Sequence, residues 1–220
     1  MEALSLKTPK IPKATVGRLG GYSRFLDKLE RKGVFTVSSE ELARGAGVSP
    51  NQVRKDLAYF GEFGIRGVGY NVKDLKSCLL RILGLDRQWR LIIAGAGKLG
   101  CALATYQGFI DRGFVTVGIF DNDATKIGGR VGRLCVQPMG RIPEVVKKFA
   151  VRIGIIAVWP HAAQEVADIM VENGLRAILN FAPMPISVPD HIILPNVDLA
   201  FKLEAITFDF AYELASLVRR

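Results

Sequence analysis

The sequence has few of the side chains from which enzymes most often build active sites and metal centres. Only two histidines, His161 and His191, occur among its 220 residues, and neither has an evident catalytic partner. The three cysteines, Cys78, Cys101 and Cys135, lack the CxxC or Cys/His spacing of a metal site, so buried thiols are expected. The sequence therefore predicts no metal site, and it offers no acid or base pair for hydride transfer.

Long apolar runs are also missing. No run approaches the roughly 18 residues that a membrane-spanning helix needs. The N-terminus lacks the charged-then-apolar pattern of a signal peptide. These absences predict a cytoplasmic protein with no membrane partner.

Basic residues are not matched by acidic ones in the first part of the chain. The net charge is +9; residues 1–90 contain 17 Lys/Arg against 9 Asp/Glu, whereas residues 91–220 contain 13 against 12. Because nearly all of the excess positive charge lies in the first part, we expect two domains with different partners, over 1–86 and 87–220. A polyanion such as double-stranded DNA is the expected partner of the first domain.

The segment from residue 90 to residue 121 has the pattern of a βαβ unit. Apolar runs at 90–94 and 114–120 flank a helix-like run of about ten residues, which opens with Gly95-Ala-Gly97-Lys-Leu-Gly100. In a Rossmann fold Gly95 forms the tight turn, Gly97 admits a pyrophosphate, and Gly100 lets the helix pack closely on the strand. The segment therefore predicts dinucleotide binding.

Asp121 ends the second of these strands, where a carboxylate is able to accept hydrogen bonds from both hydroxyls of a ribose. A 2′-phosphate would meet a like charge there, so the sequence favours NAD(H) over NADP(H) as cofactor. Coenzyme A and adenylates stay open as alternative ligands. An NAD-dependent oxidoreductase fused to a basic module stays open as an alternative function.

The chain after Asp121 continues the alternation of a doubly wound parallel α/β sheet. Apolar patterns predict strands at 134–136, 153–158, 177–181 and 191–194, and helices at 142–150 and 162–173. The carboxyl ends of such strands face the ligand crevice, which brings Val158 and Trp159 towards the predicted site. Two roles are open for Trp159, stacking near adenine or capping the sheet, and capping is favoured. His161 is expected only to start a helix.

Two helix starts follow each other closely in the basic part of the chain. Ser38 with Glu41, and Ser49 with Gln52, have the Ser-x-x-Glu/Gln spacing of capping boxes, and residues 45–48 between the two helices read Gly-Ala-Gly-Val. Two helices joined by a tight glycine turn predict a helix-turn-helix.

The second of these helices, over 50–60, has an apolar face and a polar, basic face. Val53, Leu57 and Phe60 lie on one side, which leaves outward polar and basic side chains of the types that suit base edges and phosphates. Residues 61–70 then place glycines on both sides of Arg66. This is the pattern of a hairpin wing that is able to insert an arginine into a minor groove.

The last segment, residues 198–218, predicts a helix that is apolar on nearly all sides. One face of a helix packs on its own domain, so the remaining apolar surface needs a second cover. A partner subunit is the expected cover, which predicts a homodimer.

These motifs resemble the Rex family of redox-sensing transcriptional repressors. The resemblance covers essentially residues 11–220 and rests on Gln52-Val-Arg-Lys-Asp-Leu-Ala-Tyr-Phe-Gly61, Gly67-Val-Gly-Tyr70, Ile82-Leu-Gly-Leu85, Asn180-Phe-Ala-Pro183 and Asn196-Val-Asp198. It implies an N-terminal winged helix-turn-helix, a C-terminal Rossmann domain and a homodimer that exchanges its C-terminal helices. It further implies a repressor, not an enzyme, that leaves a palindromic operator when NADH binds, whereas NAD⁺ competes without releasing DNA.

The motifs and the resemblance together predict three groups of site residues. The predicted nucleotide-binding residues are Gly95, Ala96, Gly97, Lys98, Leu99, Gly100, Tyr106, Asp121, Asp123, Val158, Asn180 and Asp198. The predicted DNA-binding residues are Ser49, Asn51, Gln52, Arg54, Lys55, Tyr59, Arg66 and Tyr70. The resemblance places Tyr106 and Asp198 near the nicotinamide, and Arg24 is a hypothetical coupling residue that pairs with one of them in only one state.

Overall fold

The computed structural model describes residues 11–65 and 67–218, with the backbone alone at 214–218. The chain divides between Arg87 and Gln88 into two compact units. Residues 1–10 and the predicted wing residue Arg66 lie outside the described residues.

The first unit is a winged helix-turn-helix, as predicted. Its elements, in chain order, are α1 (Lys13–Arg31), β1 (Thr36–Val37), α2 (Ser39–Ala46), α3 (Pro50–Ala58), β2 (Gly64–Ile65), β3 (Gly69–Asn71) and α4 (Val72–Ile82). All four helices contribute to one apolar core, which includes Leu19, Leu42, Val53 and Leu79. The strands form a three-stranded antiparallel sheet in the order β1-β3-β2, and β2 and β3 are the wing hairpin.

The turn between α2 and α3 follows from its glycines and caps. Gly47 ends α2 in the left-handed conformation, with φ 69°, which glycine adopts without strain. Ser38 and Glu41 form the predicted capping box at the start of α2. The second box forms only in part: Ser49 Oγ accepts from the Gln52 N–H over 3.2 Å, but the Gln52 side chain donates to Asp56.

The second unit contains a six-stranded sheet in the order β6-β7-β5-β4-β8-β9. The strands are β4 (Trp89–Ala94), β5 (Phe114–Asp121), β6 (Arg130–Val131), β7 (Leu134–Pro138), β8 (Ile153–Ile156) and β9 (Ala177–Asn180). Five of them pair in parallel, and β6 adds an antiparallel edge that the sequence analysis did not predict. The parallel order is that of the doubly wound Rossmann sheet, which confirms the predicted fold.

Helices cover both faces of this sheet. The covering helices are α5 (Lys98–Ala104), α6 (Gln107–Ile110), α7 (Ile142–Phe149) and α8 (Pro160–Glu172). A short 3₁₀ turn lies at Met139–Arg141, and α9 (Leu199–Val218) follows the last strand. Ile92, Phe120 and Ile156 pack with α7 and α8 on one face. Ile93 and Ile119 pack with α5 and α6 on the other. Burial on both faces explains why these strands read as unbroken apolar runs.

Two predicted elements differ in the structure. The helix expected after the glycine motif is interrupted at Thr105, whose hydroxyl donates to the Cys101 and Ala102 carbonyls, and Tyr106 is extended. The strand predicted at 191–194 is reduced to isolated bridges, Ala177 with Ile193 and Asn180 with Asn196. Pro195 interrupts that ladder because proline has no N–H to donate.

The helix α9 is strongly exposed within this chain. Over residues 199–213, where its side chains are described, the large apolar ones are each between 60 and 73% exposed, namely Leu199, Phe201, Leu203, Ile206, Phe208, Phe210 and Tyr212. Within the described part of the chain, no helix is both long and apolar enough to cross a bilayer.

Candidate functional site

A cleft of about 760 Å³ opens at the carboxyl edge of the Rossmann sheet. It lies where β4 and β8 are neighbours and their following helices leave to opposite faces of the sheet, the usual position for a ligand in an open α/β fold. The glycine motif, the end of β5, the 3₁₀ turn and the start of α8 form its walls. Of the predicted nucleotide residues, Gly95, Gly97, Lys98, Leu99, Asp121 and Val158 line it.

The three glycines of the motif meet three different steric requirements. Gly95 has φ 102°, and a Cβ there would lie 2.3 Å from the Ala157 carbonyl oxygen. A Cβ on Gly100 would lie 1.8 Å from the Gly95 carbonyl oxygen, so only glycine lets α5 approach the strand. A Cβ on Gly97 would have nothing within 4 Å. Gly97 thus leaves space beside the backbone on the cleft wall, as a phosphate cradle requires.

The Asp121 carboxylate is held by three donors. Oδ2 accepts from the Ala96 N–H over 2.8 Å and from Lys126 Nζ over 3.1 Å, and Oδ1 accepts from the Asp123 N–H over 2.9 Å. Partial burial raises the pKa of this carboxyl, but the two backbone hydrogen bonds and Lys126 outweigh burial, so the net pKa is lowered. Asp121 is therefore ionised and fixed in orientation at neutral pH.

Lys126 is a cleft residue that the sequence analysis missed. Its Nζ contacts both Asp121 and, over 3.4 Å, Asp123 Oδ2. Its pKa is raised, chiefly by the hydrogen bond to Asp121. The signal that could have found it is a lysine five residues after the strand-ending aspartate, within one loop.

The remaining predicted nucleotide residues lie outside the cleft wall, each with a local partner. Asp123 accepts from the Thr125 N–H and hydroxyl. Tyr106 is exposed, and its ring makes an edge contact with Phe109. Asp198 accepts from the Phe201 N–H at the start of α9. The contact of Asp123 with the nucleotide, and those of Tyr106 and Asp198 with a nicotinamide, stay predictions.

Asn180 was predicted to contact the cofactor, but its side chain has a structural role within the protein. The side chain is fully buried, and its Nδ2 donates to the Ala182 and Met184 carbonyls and to Asn196 Oδ1. Its Oδ1 accepts from the Ala182 N–H. Because both ends of the amide are used within the protein, Asn180 orders the chain after β9 rather than presenting its amide to a ligand.

Trp159 does not cap the sheet. It is 76% exposed and lines the cleft at the N-terminus of α8, so the favoured capping role was wrong. His161 lies in the first turn of α8, as expected, and also lines the cleft, as do Met139 and Gly140 after β7. Searching the residues after every parallel strand would have found Met139 and Gly140.

The recognition helix α3 presents a polar, basic surface. Asn51, Lys55 and Tyr59 are exposed, as predicted, and Ser49 caps the helix. Arg54 is exposed and makes a weak pair with Glu40 of α2, over 3.4 Å. These side chains are arranged as the DNA-facing side of a helix-turn-helix requires, and their contacts with DNA stay predictions.

Two other predicted DNA contacts, Tyr70 and Gln52, are less accessible than expected. Tyr70 is only 8% exposed, and its ring packs in the core of the first unit, with its hydroxyl 3.4 Å from Ser39 Oγ. Side chains alternate between the two faces of β3, and Tyr70 lies on the buried face, so packing is its role in this structure. Gln52 is half-buried and bonded to Asp56. The proposed coupling residue Arg24 is exposed on α1, and its pairing stays a prediction.

Comparisons with known proteins agree with both units. A family model described as "Putative DNA-binding protein N-terminus" matches residues 10–58, and one described as "CoA binding domain" matches residues 86–184. The redox-sensing transcriptional repressor Rex of Pelotomaculum thermopropionicum is 62% identical over 204 residues, which cover 93% of this chain and 96% of that protein. The Rex of Desulforamulus reducens is 59% identical over 206 residues, which cover 94% and 98%.

Solved structures match over almost the whole chain. A crystal structure of RSP, a Rex-family repressor, in complex with β-NAD⁺ and operator DNA has a TM-score of 0.88 at 37% identity, covering 96% of this chain and 98% of that one. RSP in complex with β-NADH gives a TM-score of 0.83 at 35% identity, covering 97% and 100%. Fold and site therefore define a two-domain class in which a winged helix-turn-helix is joined to a nucleotide-type Rossmann unit. Within that class, the chain belongs to the Rex family of redox-sensing transcriptional repressors.

Proposed function

We propose that this protein binds operator DNA through its winged helix and leaves that DNA when NADH occupies the Rossmann cleft. The observation that carries the proposal is the cleft at the sheet switch point, with Gly97 and the ionised Asp121 on its wall. Family membership adds the link between such a cleft and DNA binding, because RSP has been solved with NADH and with NAD⁺ and operator DNA. The cytoplasm is the proposed compartment because an operator lies there.

The residues on the cleft wall fit a dinucleotide. Gly97 leaves room for a pyrophosphate and is the N-cap residue of α5. No side chain of the described residues caps the start of α5, and free N–H groups at a helix N-terminus suit a phosphate. Asp121 on the cleft wall is the proposed acceptor for the ribose hydroxyls, and Trp159 has an exposed ring on the same wall. When bound, the nicotinamide supplies the signal itself, since its ring is cationic in NAD⁺ and neutral in NADH. Tyr106, Asp198 and Arg24 are the proposed residues that respond to this difference.

The cofactor is a ligand in this proposal, and the protein does not turn it over. The relatives are named as repressors, which supports binding without chemistry. Incubating the protein with NADH or NAD⁺ and a panel of small carbonyl and hydroxy compounds should leave the nicotinamide absorbance unchanged. Protein-dependent oxidation of NADH at a rate proportional to enzyme concentration would instead support the oxidoreductase alternative.

A homodimer is part of the proposal. The apolar surface of α9 is exposed in one chain, and a second copy of the same helix is a cover of matching chemistry. Two copies also supply two recognition helices, which a palindromic operator requires.

Selection of DNA from random sequence tests the DNA-binding part. The wild-type chain should enrich a palindrome whose half-site centres are separated by about one helical turn or a multiple of it. A variant with Arg54→Ala and Lys55→Ala should enrich nothing comparable, because both exposed cations lie on α3. Failure of the wild type to enrich any sequence, or enrichment of single half-sites only, would contradict the proposal.

Coenzyme A is the second candidate ligand, because the matching family model carries that name. Calorimetric titration of the full chain with NADH, NAD⁺ and coenzyme A distinguishes a nicotinamide dinucleotide from coenzyme A as the ligand. We expect NADH to bind more tightly than coenzyme A, and Gly97→Val to abolish NADH binding while the chain stays folded, because a Cβ at this position has nothing within 4 Å. Tighter binding of coenzyme A would favour the second candidate.

A further inference from the structure

The recognition helix contains a buried carboxylate, Asp56, that contacts four side chains. Oδ1 accepts from Arg18 Nη2 over 2.7 Å, from Gln52 Nε2 over 2.9 Å and from Thr15 Oγ1 over 3.2 Å. Oδ2 accepts from Arg18 Nε over 2.6 Å and from the Tyr22 hydroxyl over 2.7 Å. Asp56 has no exposed surface, and the partners other than Gln52 belong to α1.

This carboxylate is ionised, and therefore only accepts hydrogen bonds. Burial alone would raise its pKa, but donation from Arg18, Tyr22 and Gln52 lowers the pKa to about 2. An acceptor-only group decides which end of a neighbouring amide faces it. Gln52 must turn its nitrogen, and not its oxygen, towards Asp56.

The contact also decides which amide hydrogen is used. The hydrogen cis to the carbonyl oxygen would bring that oxygen beside the carboxylate, where like partial charges repel. The trans hydrogen avoids this repulsion. The carbonyl oxygen and the cis hydrogen of Gln52 then remain together on the opposite edge of the amide, which is the edge that pairs with N6 and N7 of adenine.

Gln52 lies in the part of α3 that reads bases in a helix-turn-helix. It is the third residue of the helix, next to the exposed Asn51 and one turn before the buried Asp56. The N-terminal residues of a recognition helix are those that contact base edges in the major groove. A half-buried amide with one fixed edge is pre-organised for that contact.

We propose that Asp56 is a positioning residue that fixes the amide of Gln52 to read one adenine in each operator half-site. The inference rests on the proposed DNA-binding function of α3. Asp56 thereby controls base discrimination by Gln52, although Asp56 itself is buried and does not reach DNA. Because Arg18 and Tyr22 of α1 make the shortest hydrogen bonds to Asp56, α1 sets the orientation of the reading group on α3.

Base preference, measured in the full chain, tests this assignment. Operator variants with each of the four bases at every half-site position are titrated with wild type, Gln52→Met, Asp56→Asn and Thr15→Val by fluorescence anisotropy. Gln52→Met should lose about tenfold or more of the preference for adenine at one position. Asp56→Asn should lose preference at the same position, because an amide partner accepts either orientation of Gln52.

Thr15→Val is the matched control. It removes a different hydrogen bond to Asp56 and leaves the Gln52 contact intact. We expect the adenine preference to survive in this variant even if its unfolding temperature falls. Equal loss of preference in Thr15→Val and Asp56→Asn would overturn the proposal, as would full preference in Gln52→Met or in folded Asp56→Asn.

A second measurement applies if Asp56→Asn does not fold. The side-chain amide of Gln52 in the wild type should show, by nuclear magnetic resonance, a slowly exchanging hydrogen trans to the carbonyl oxygen. Hydrogen bonding through the cis hydrogen, or fast exchange of both, would overturn the proposal. Absence of sequence-specific DNA binding by the wild type is a different result, because it contradicts the proposed function itself.

Discussion

The backbone N–H of Ala96 donates a hydrogen bond to Oδ2 of Asp121 over 2.8 Å. This bond joins the middle of the glycine motif to the end of the next strand, 25 residues later. The turn that we propose binds phosphate and the carboxylate that we propose binds the ribose are thereby fixed relative to each other by the protein alone. A site that is ordered in advance loses less entropy when its ligand binds.

Asp121→Ala should lower NADH affinity by about 10- to 100-fold, because it removes a charged acceptor for the ribose and releases the Ala96 turn. Fluorescence titration of NADH into the full chain measures the change. Asp168→Ala, on the exposed side of α8, is the control and should bind NADH like the wild type. Equal affinities of Asp121→Ala and wild type for NADH would show that Asp121 does not contribute to NADH binding.

Lys126 should reduce the selectivity against a 2′-phosphate. Its ammonium lies beside Asp121 and Asp123, so it neutralises part of the negative charge at the ribose end of the cleft. We expect Lys126→Met to raise the ratio of the dissociation constants for NADPH and NADH several-fold. An unchanged ratio, with NADH affinity retained, would show that the lysine only supports the loop.

The Asp56 network should stabilise the first unit in a pH-dependent way. The pKa of Asp56 falls from 3.8 to about 2 on folding, so its contribution of roughly 2 kcal/mol is complete above about pH 4 and is lost as the pH falls towards 2. Asp56→Asn cannot titrate. Urea denaturation, followed through resonances of α1 and α3, should show the gap between wild type and Asp56→Asn shrinking over that range; a constant gap would contradict this.

The surface of α9 should hold two copies of the chain together. Phe208→Asp places a charge on a large apolar side chain of that helix and should shift the sedimentation mass from two chains towards one. Lys202→Asp introduces the same carboxylate at a position that is already charged, and should leave the mass unchanged. A monomeric wild type would contradict the dimer directly.

Local backbone requirements were predictable from the sequence. The roles of Gly95 and Gly100 depend on a turn and on one close approach within a single βαβ unit, and the steric distances agree with them. The capping box of Ser38 and Glu41 is likewise contained in four residues. Such motifs are predictable because all the residues that form them lie within a short stretch of the sequence.

Choices between competing partners were not predictable. The sequence analysis paired Gln52 with Ser49 at the helix start, but the buried charge of Asp56 attracts the Gln52 amide more strongly. Arg18 and Tyr22, both on α1, help to stabilise that buried charge. Asn180 was similarly placed near the ligand by its motif, whereas its burial depends on the segment that contains Asn196.

The central claim is that NADH in the cleft releases DNA from the winged helix. The most direct measurement is the fluorescence anisotropy of a labelled, selected operator bound to the full chain, titrated with NADH at a fixed concentration of NAD⁺. We predict release at micromolar NADH and none with NAD⁺ alone. Operator that stays bound while NADH fluorescence shows the cleft to be saturated would contradict it.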